Sequence, residues 1–326
     1  MSLVDENLRS NGGSKTVPIS MAFADYDRTR PLLEGKVVPQ GIALNACNKW
    51  VGDFCHRPVY EEYDAAEMSL SWYVAARERQ EPCIAIPIFP LRDPILAYIY
   101  TRADSGITHP SQLIGKRIGT FGYRYTINCW IRGLLEDHYG LSPNQVTWIT
   151  SEAEGAGYEV PSSISLQHPD DKLPSDRLRD GEVDAILAPR VPTEFKNREP
   201  WIRRLFPDCK QEGHKLVNKL GFIPVSHVIV LNEKLATREP WIAKSLYDAF
   251  VRSQQMIDDV WRTEKVSSFV DSMFYLEEQQ DVYGNNPFEH GLTEANRANI
   301  ALFVKYAVAQ GYIKRELSMA DLFLNV

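Results

Sequence analysis

The sequence predicts a two-lobed α/β fold in which two α/β lobes are joined by two crossing strands and enclose a cleft. Short apolar segments alternate with helical patterns from Val17 onward, which is typical of mostly parallel sheets flanked by helices. Two long apolar segments, 95–102 and 222–231, bracket the middle of the chain. The 326 residues, 44% of them hydrophobic, suffice for about two domains with buried cores.

The order of the segments predicts where each lobe begins and ends. The first unit contains strand-like segments at 19–24, 42–46, 66–70 and 84–89. The second contains strands at 117–120, 146–150 and 183–187, an amphipathic helix with apolar residues from Ile127 to Leu135, and a polar stretch, 151–176, that is a lid or a surface insertion. Helical patterns at 241–261 and 300–308 follow. We therefore predict one lobe from 15–98 plus 230–326, a second from 99–229, and a disordered segment at 1–14.

Composition and charge exclude several classes of partner. The 36 Lys and Arg against 43 Asp and Glu give a net charge of -7 without a basic tract, so nucleic acid is not expected. No apolar segment reaches the roughly 18 residues of a membrane span. The five cysteines form no C-x-x-C pair and are expected to be reduced. The polar residues 1–16 favour the cytoplasm, or the periplasm if the native start carries a signal peptide that this sequence lacks. A homo-oligomeric state stays open.

The usual catalytic and cofactor motifs are missing from the sequence. It contains no G-x-S-x-G, no H-E-x-x-H, no P-loop and no G-x-G-x-x-G. Cys55 and His56 are adjacent but lack further ligands at metal spacing. We therefore predict neither a metal nor a cofactor.

Two arginines directly follow the first predicted strand. Arg28 and Arg30 stand at its carboxyl end, where ligands of open α/β sheets bind, and arginine can hold a carboxylate through two parallel hydrogen bonds. The alternative is that they form surface ion pairs with Asp25, Asp27 or Glu34.

Hydroxyl and aromatic side chains occupy two predicted helix starts. Ser69 and Ser71 end the third strand, and Tyr123, Tyr125 and Thr126 begin the helix of the second unit after a glycine-containing turn. Hydroxyls at such positions bind a ligand or cap the helix, and aromatic rings stack on flat ligands. We expect these five side chains to face the cleft.

One histidine and one further arginine lie beside predicted strands. His227 is in the apolar segment where the chain returns to the first lobe, and it is either a proton-transfer group or a hydrogen-bonded structural residue. Arg190 follows the strand at 183–187 and either binds a carboxylate or pairs with Glu194.

Several longer motifs carry a resemblance to a known family. They lie at 26–30 (YDRTR), 66–71 (AEMSLS), 86–90 (IPIFP), 113–119 (LIGKRIG), 203–208 (RRLFPD) and 286–292 (NPFEHGL), with His227 between the last two. Over nearly its whole length the chain resembles the 4,5-dihydroxyphthalate decarboxylases, which have a type II periplasmic-binding-protein-like fold.

The resemblance implies loss of one carboxyl group from a dihydroxylated aromatic dicarboxylate without an obligatory cofactor. By chemical inference His227 transfers the proton, and Arg28, Arg30 and Arg190 bind the anion. The competing interpretation is a solute-binding component of an ABC transporter that holds a small aromatic or pyrimidine-like anion in the same cleft without catalysis. An enzyme acting on a related hydroxybenzoate is a third interpretation.

Overall fold

The structure is a computed structural model that describes residues 16–50, 52, 58–154, 158–263 and 269–326. The segment predicted to be disordered, 1–14, lies outside the described residues, as do Cys55 and His56. Two separate sheets form the framework, one of five strands and one of six.

The first sheet has the order β2-β1-β3-β11-β4. Four of its strands precede the second sheet in the sequence, and one, β11, follows it. The central strands β3 and β11 are buried along almost their whole length, and β11 runs antiparallel to both of its neighbours. The strands are β1 (Val17–Phe23), β2 (Ile42–Asn48), β3 (Ala65–Ser69), β4 (Cys83–Ile86) and β11 (His227–Asn232).

The second sheet has the order β10-β5-β9-β6-β7-β8. Strands β6, β7, β8 and β9 are parallel, whereas β5 is antiparallel to both β9 and β10. Its strands are β5 (Ile99–Arg102), β6 (Arg117–Thr120), β7 (Thr147–Thr150), β8 (Ser165–Gln167), β9 (Ala185–Leu187) and β10 (Ile202–Arg204).

Helices cover the faces of both sheets. The long helix α9 buries Ile242, Leu246 and Phe250, and α11 packs on α4, where the Trp130 ring lies 5.3 Å from that of Phe303. The helices are α1 (Arg30–Leu33), α2 (Val59–Glu62), α3 (Leu70–Glu78), α4 (Thr126–Tyr139), α5 (Pro174–Arg179), α6 (Thr193–Lys196), α7 (Cys209–Leu220), α8 (Glu233–Arg238), α9 (Trp241–Thr263), α10 (Ser272–Tyr283), α11 (Glu294–Ala309) and α12 (Met319–Leu322).

Both long apolar segments that the sequence analysis treated as strands are only partly extended. Residues Ile95–Tyr98 form a 3₁₀ turn before β5, because the preceding Asp93-Pro94 favours a turn. The strand predicted at 222–231 begins only at His227, since Pro224 lacks the backbone N–H that a central strand needs. The polar stretch at 151–176 contains β8, an edge strand that the sequence analysis missed.

The two segments that cross between the sheets are bonded to each other. The Ser226 N–H donates to the Leu91 carbonyl at 2.9 Å, next to a bridge between Arg92 and Val225. The buried Arg92 guanidinium also donates to the carbonyl of Ile223. The predicted lobe boundary at 229/230 stays a prediction; β11 joins the first sheet from its first residue.

No helix in the described ranges combines the length and the apolar character needed to cross a bilayer.

Replacing either of two helical glycines by alanine should change the free energy of unfolding, in opposite directions at the two positions. A Cβ at Gly133 in α4 would lie 2.5 Å from the Tyr306 ring, which a hydrogen bond to Asp137 holds in place, whereas a Cβ at Gly213 in α7 meets open space. We expect Gly133→Ala to lower the free energy of unfolding by about 1–3 kcal/mol through overpacking. Gly213→Ala should raise it by about 0.5–1 kcal/mol through helix propensity. Urea denaturation measures both, and equal shifts of the same sign would contradict the packing of α4 on α11.

Candidate functional site

A cavity of about 570 Å³ lies between the two sheets, at the carboxyl ends of parallel strands from both. This is where open α/β sheets bind ligands, and the volume is ordinary for a small-molecule site. We call it the first cavity. Its wall consists of Trp50, Gly52, Ser69, Trp72, Leu91, Asp93, Tyr98, Phe121, Tyr125, Thr126, Ile127, Glu152, Pro189, Arg190, Ser226 and His227.

A buried carboxylate lies directly behind this wall. Glu67 is in the middle of β3 and is fully buried. Its carboxylate accepts hydrogen bonds from the Ala24 N–H (2.9 Å), the Tyr26 hydroxyl (2.8 Å) and Nδ1 of His227 (2.6 Å). Such a charge is tolerated inside a sheet only when donors surround it.

Glu67 fixes the orientation of the imidazole. His227 begins β11 and stands opposite Ser69 in the register of β3 and β11. Because an ionised carboxylate only accepts hydrogen bonds, Nδ1 of His227 carries the proton that it shares with Glu67. The His227 side chain is 10% exposed and forms part of the cavity wall. Nε2 is therefore the ring nitrogen left to act on a ligand.

Electrostatics favour the ionised form of Glu67. Burial alone raises the pKa of this carboxyl, but the hydrogen bond and charge of His227, together with the Ala24 N–H and the Tyr26 hydroxyl, hold its pKa below the usual range. Burial and the neighbouring Glu67 charge raise the pKa of Tyr26 far above its ordinary value, so its hydroxyl stays a donor.

A group of hydroxyls joins the two sheets at the cavity wall. Oγ of Ser69 lies 2.6 Å from Oγ1 of Thr126, the first residue of α4. The same Thr126 oxygen accepts the Ser71 N–H at 2.9 Å and donates to the Ser71 hydroxyl at 3.0 Å. The ends of β3 and α4 are thus held in contact.

Charged and polar groups occupy the remaining wall. Asp93 accepts hydrogen bonds from the Tyr98 hydroxyl (2.9 Å) and the Ser226 hydroxyl (3.0 Å). On the opposite side, the Tyr125 hydroxyl donates to Glu152 at 2.8 Å. Arg190 provides the cationic guanidinium of the wall and lies near the Trp50 ring.

The structure brings five of the nine predicted site residues into this wall. They are Ser69, Tyr125, Thr126, Arg190 and His227. Ser71 is buried just behind it, bonded to Thr126. The sequence analysis expected the Ser71 side chain to line the open cleft. In the structure it supports the cavity wall from behind.

The other three predicted residues lie elsewhere, which corrects the sequence analysis. Arg28 donates to the Pro90 carbonyl and stacks on Phe288, 4.0 Å from the ring centroid, outside the first cavity. Arg30 is exposed and pairs with Asp25 at 2.9 Å, which is the surface alternative considered above. Tyr123 turns its ring into the core beside Trp148, whereas Phe121 and Tyr125 of the same loop line the cavity.

Sequence reasoning missed Glu67 and Tyr26. The signal for Glu67 was present, since a single acidic residue inside the apolar strand AAEMS must find donors if it is buried. Tyr26 gave no comparable signal. Among the described residues no group of three or more His, Cys, Asp or Glu side chains is arranged to hold a metal ion.

Two curated proteins are similar to this chain in sequence. A curated 4,5-dihydroxyphthalate decarboxylase from Comamonas testosteroni is 30% identical over 318 residues, covering 94% of this chain and 96% of that protein. Another, from Pseudomonas putida, is 34% identical over 199 residues, 58% of this chain and 77% of that protein. The chain belongs to the 4,5-dihydroxyphthalate decarboxylase family. The resemblance seen in the sequence motifs is thereby confirmed, although no family model matches the chain.

Solved structures confirm the predicted type II periplasmic-binding-protein-like fold of this family member. The sulfonate-binding protein SsuA from Methylobacillus flagellatus aligns with a TM-score of 0.62 at 12% identity, covering 95% of this chain and 92% of that one. SsuA from Escherichia coli gives 0.58 at 10% identity, with coverages of 94% and 97%. The desulfurization enzyme DszB gives 0.51 at 14% identity, with coverages of 93% and 95%. At these identities the likeness concerns the fold alone.

The hydrogen bonds of Glu67 predict a pH-dependent stability in this decarboxylase-family chain. We expect Glu67→Gln to lower the free energy of unfolding at pH 7 by about 1–3 kcal/mol, because charge-assisted hydrogen bonds to a buried group are lost. A carboxyl whose folded-state pKa is depressed stabilises above its ordinary value of 4.5 and loses that contribution as pH falls through the folded-state pKa. The difference in the free energy of unfolding between the parent and Glu67→Gln should therefore narrow below about pH 4.5.

Urea denaturation between pH 7 and pH 3 provides the measurement. The exposed Glu61→Gln is the matched control and should stay within about 0.5 kcal/mol of the parent throughout. A gap for Glu67→Gln that keeps its size across this range would show that Glu67 is not ionised in the folded protein.

Proposed function

We propose that this chain decarboxylates a dihydroxylated aromatic dicarboxylate such as 4,5-dihydroxyphthalate, releasing CO2 and a dihydroxybenzoate. Family membership supports this, since the relatives from Comamonas testosteroni and Pseudomonas putida are named as 4,5-dihydroxyphthalate decarboxylases. The observation that carries the proposal is His227 in the wall of the first cavity, held from behind by Glu67.

That pair supplies what an aromatic decarboxylation needs from a protein. Glu67 holds Nδ1 of His227 and stabilises the imidazolium, so that Nε2 can act as the acid at the cavity surface. A carboxylate that orients a histidine from behind is the arrangement in which histidines act as general acids and bases.

The reaction can be written with the groups present. The His227 imidazolium donates its Nε2 proton to the ring carbon that carries the departing carboxylate, while the hydroxyl para to that carbon pushes electrons into the ring. The bond between ring and carboxylate carbon then breaks, its electron pair restores the aromatic ring, and CO2 leaves. His227 takes a proton from solvent before the next turnover, so one proton is consumed for each CO2 released.

The remaining wall can bind the rest of the molecule. Arg190 can hold the carboxylate that stays on the ring through a bidentate contact. The amino end of α4, at Tyr125 and Thr126, favours negative charge. Asp93 and Glu152 are carboxylates that can accept hydrogen bonds from the phenolic hydroxyls.

A second candidate is a solute-binding protein for a small aromatic anion. This chain shares its fold with the SsuA proteins, which are named as sulfonate-binding proteins. Fold alone does not separate the two functions, so the discrimination must come from chemistry at His227.

His227→Asn tests the catalytic role. We expect the variant to bind the substrate about as tightly as the parent, because Asn keeps a hydrogen-bond donor, and to lose about 10²-fold or more in kcat, the usual effect of removing a general acid. CO2 release from 4,5-dihydroxyphthalate gives kcat, and calorimetry with phthalate, which lacks the activating hydroxyls, gives binding.

The exposed His109→Asn should keep full turnover and serves as the control. Unchanged turnover in His227→Asn would assign proton transfer to another group. A parent protein that binds 4,5-dihydroxyphthalate but releases no CO2 would instead support the solute-binding function.

A further inference from the structure

A second cavity of about 720 Å³ lies beside the first. The two share Trp72, Tyr125 and Glu152 in their walls, so these side chains form a partition. On the far side of the partition the second cavity is lined by residues that the proposed reaction does not use, among them Met68 and Arg124.

Arg124 is a buried cation in this wall. The residue is 4% exposed, and its guanidinium carbon lies 4.2 Å from the Trp72 ring centroid and 5.0 Å from that of Tyr158. Within the described ranges its Nη1 has no hydrogen-bond partner. Burial lowers the pKa of the guanidinium, and the nearby Tyr312 and Glu154 oppose this shift.

Three of the four glutamates that line the same cavity are engaged with other donors. Glu152 accepts from the Tyr125 hydroxyl at 2.8 Å, and Glu81 pairs with Arg79 at 2.6 Å. Glu154 accepts the backbone N–H of Tyr123, and burial raises its pKa, which weakens it as a counter-charge for Arg124. The aromatic rings hold the guanidinium in place but do not accept its in-plane hydrogen bonds.

A buried guanidinium nitrogen without an acceptor is costly, and a bound ligand is one way in which such an acceptor is supplied. We propose that the second cavity is a binding site for a small organic carboxylate, whose carboxylate group is held by Arg124 and whose apolar part packs on Met68 and Trp72. The site is distinct from the one in which His227 acts and does not depend on the proposed reaction.

The surroundings of Arg124 favour a carboxylate over a phosphate. Four glutamates line the cavity: Glu61, Glu81, Glu152 and Glu154. A dianion such as phosphate would therefore meet more repulsion there than a monoanion. A single guanidinium also matches the two oxygens of one planar carboxylate. The apolar wall at Met68 and Trp72 suits a ligand with a hydrocarbon body.

Calorimetric titration with sodium benzoate tests the site, with uncharged benzamide as the comparison ligand. We expect two benzoate equivalents per parent chain. Arg124→Gln should weaken one of them at least tenfold, and Arg190→Gln the other, whereas benzamide binding should change less than twofold. Arg79→Gln is the matched control, because this arginine lines the same cavity but is already paired with Glu81, and it should leave both equivalents within twofold.

Benzoate binding that is unchanged in Arg124→Gln would overturn the proposal, and so would an equal loss in Arg79→Gln. Crystals of the parent protein soaked with 4-iodobenzoate give a test that does not require any variant to fold. An iodine anomalous peak in the second cavity with the carboxylate on Arg124 is expected, and its absence there overturns the site. Neither measurement depends on turnover. Both therefore test the second cavity even if the protein has no decarboxylase activity.

Discussion

The burial of one carboxylate inside the first sheet constrains the whole site. Glu67 lies in a strand that is buried on both faces, where an ionised group without donors would be strongly destabilising. Its three donors are the Ala24 N–H in the turn after β1, the Tyr26 hydroxyl and Nδ1 of His227 on β11. Placing β11 between β3 and β4 is therefore both a topological feature and the way in which the charge is satisfied.

The same arrangement connects fold to chemistry. The chain leaves the first sheet after β4, builds the second, and returns through a segment that is bonded to the outgoing one near Leu91 and Ser226. This return delivers His227 at the edge where β3 ends. The contact between Ser69 and Thr126 brings the second sheet's helix α4 against that edge. A histidine oriented from behind by a carboxylate then faces a cavity built from both sheets.

Local patterns predicted much of this, and long-range contacts account for most of what they missed. The strand at Arg117–Thr120 and the cavity positions of His227 and Arg190 follow from periodicity and from the rule that ligands bind at strand carboxyl ends. Glu67 was missed because its partners lie 41 and 160 residues away along the chain. Arg28 was misplaced for the same reason, since its acceptor is 62 residues distant.

The central claim is that a carboxylate fixes the tautomer of His227 with Nδ1 protonated, so that Nε2 is the ring nitrogen left to act on a ligand. Nitrogen-15 NMR of histidine-labelled protein across pH 5–9 measures this directly, with the His227 signals assigned from the His227→Asn variant. The account predicts that Nδ1 carries a proton in every spectrum of this range. A neutral His227 with its proton on Nε2 and a bare Nδ1 would contradict it, because Glu67 would then have to be the protonated partner.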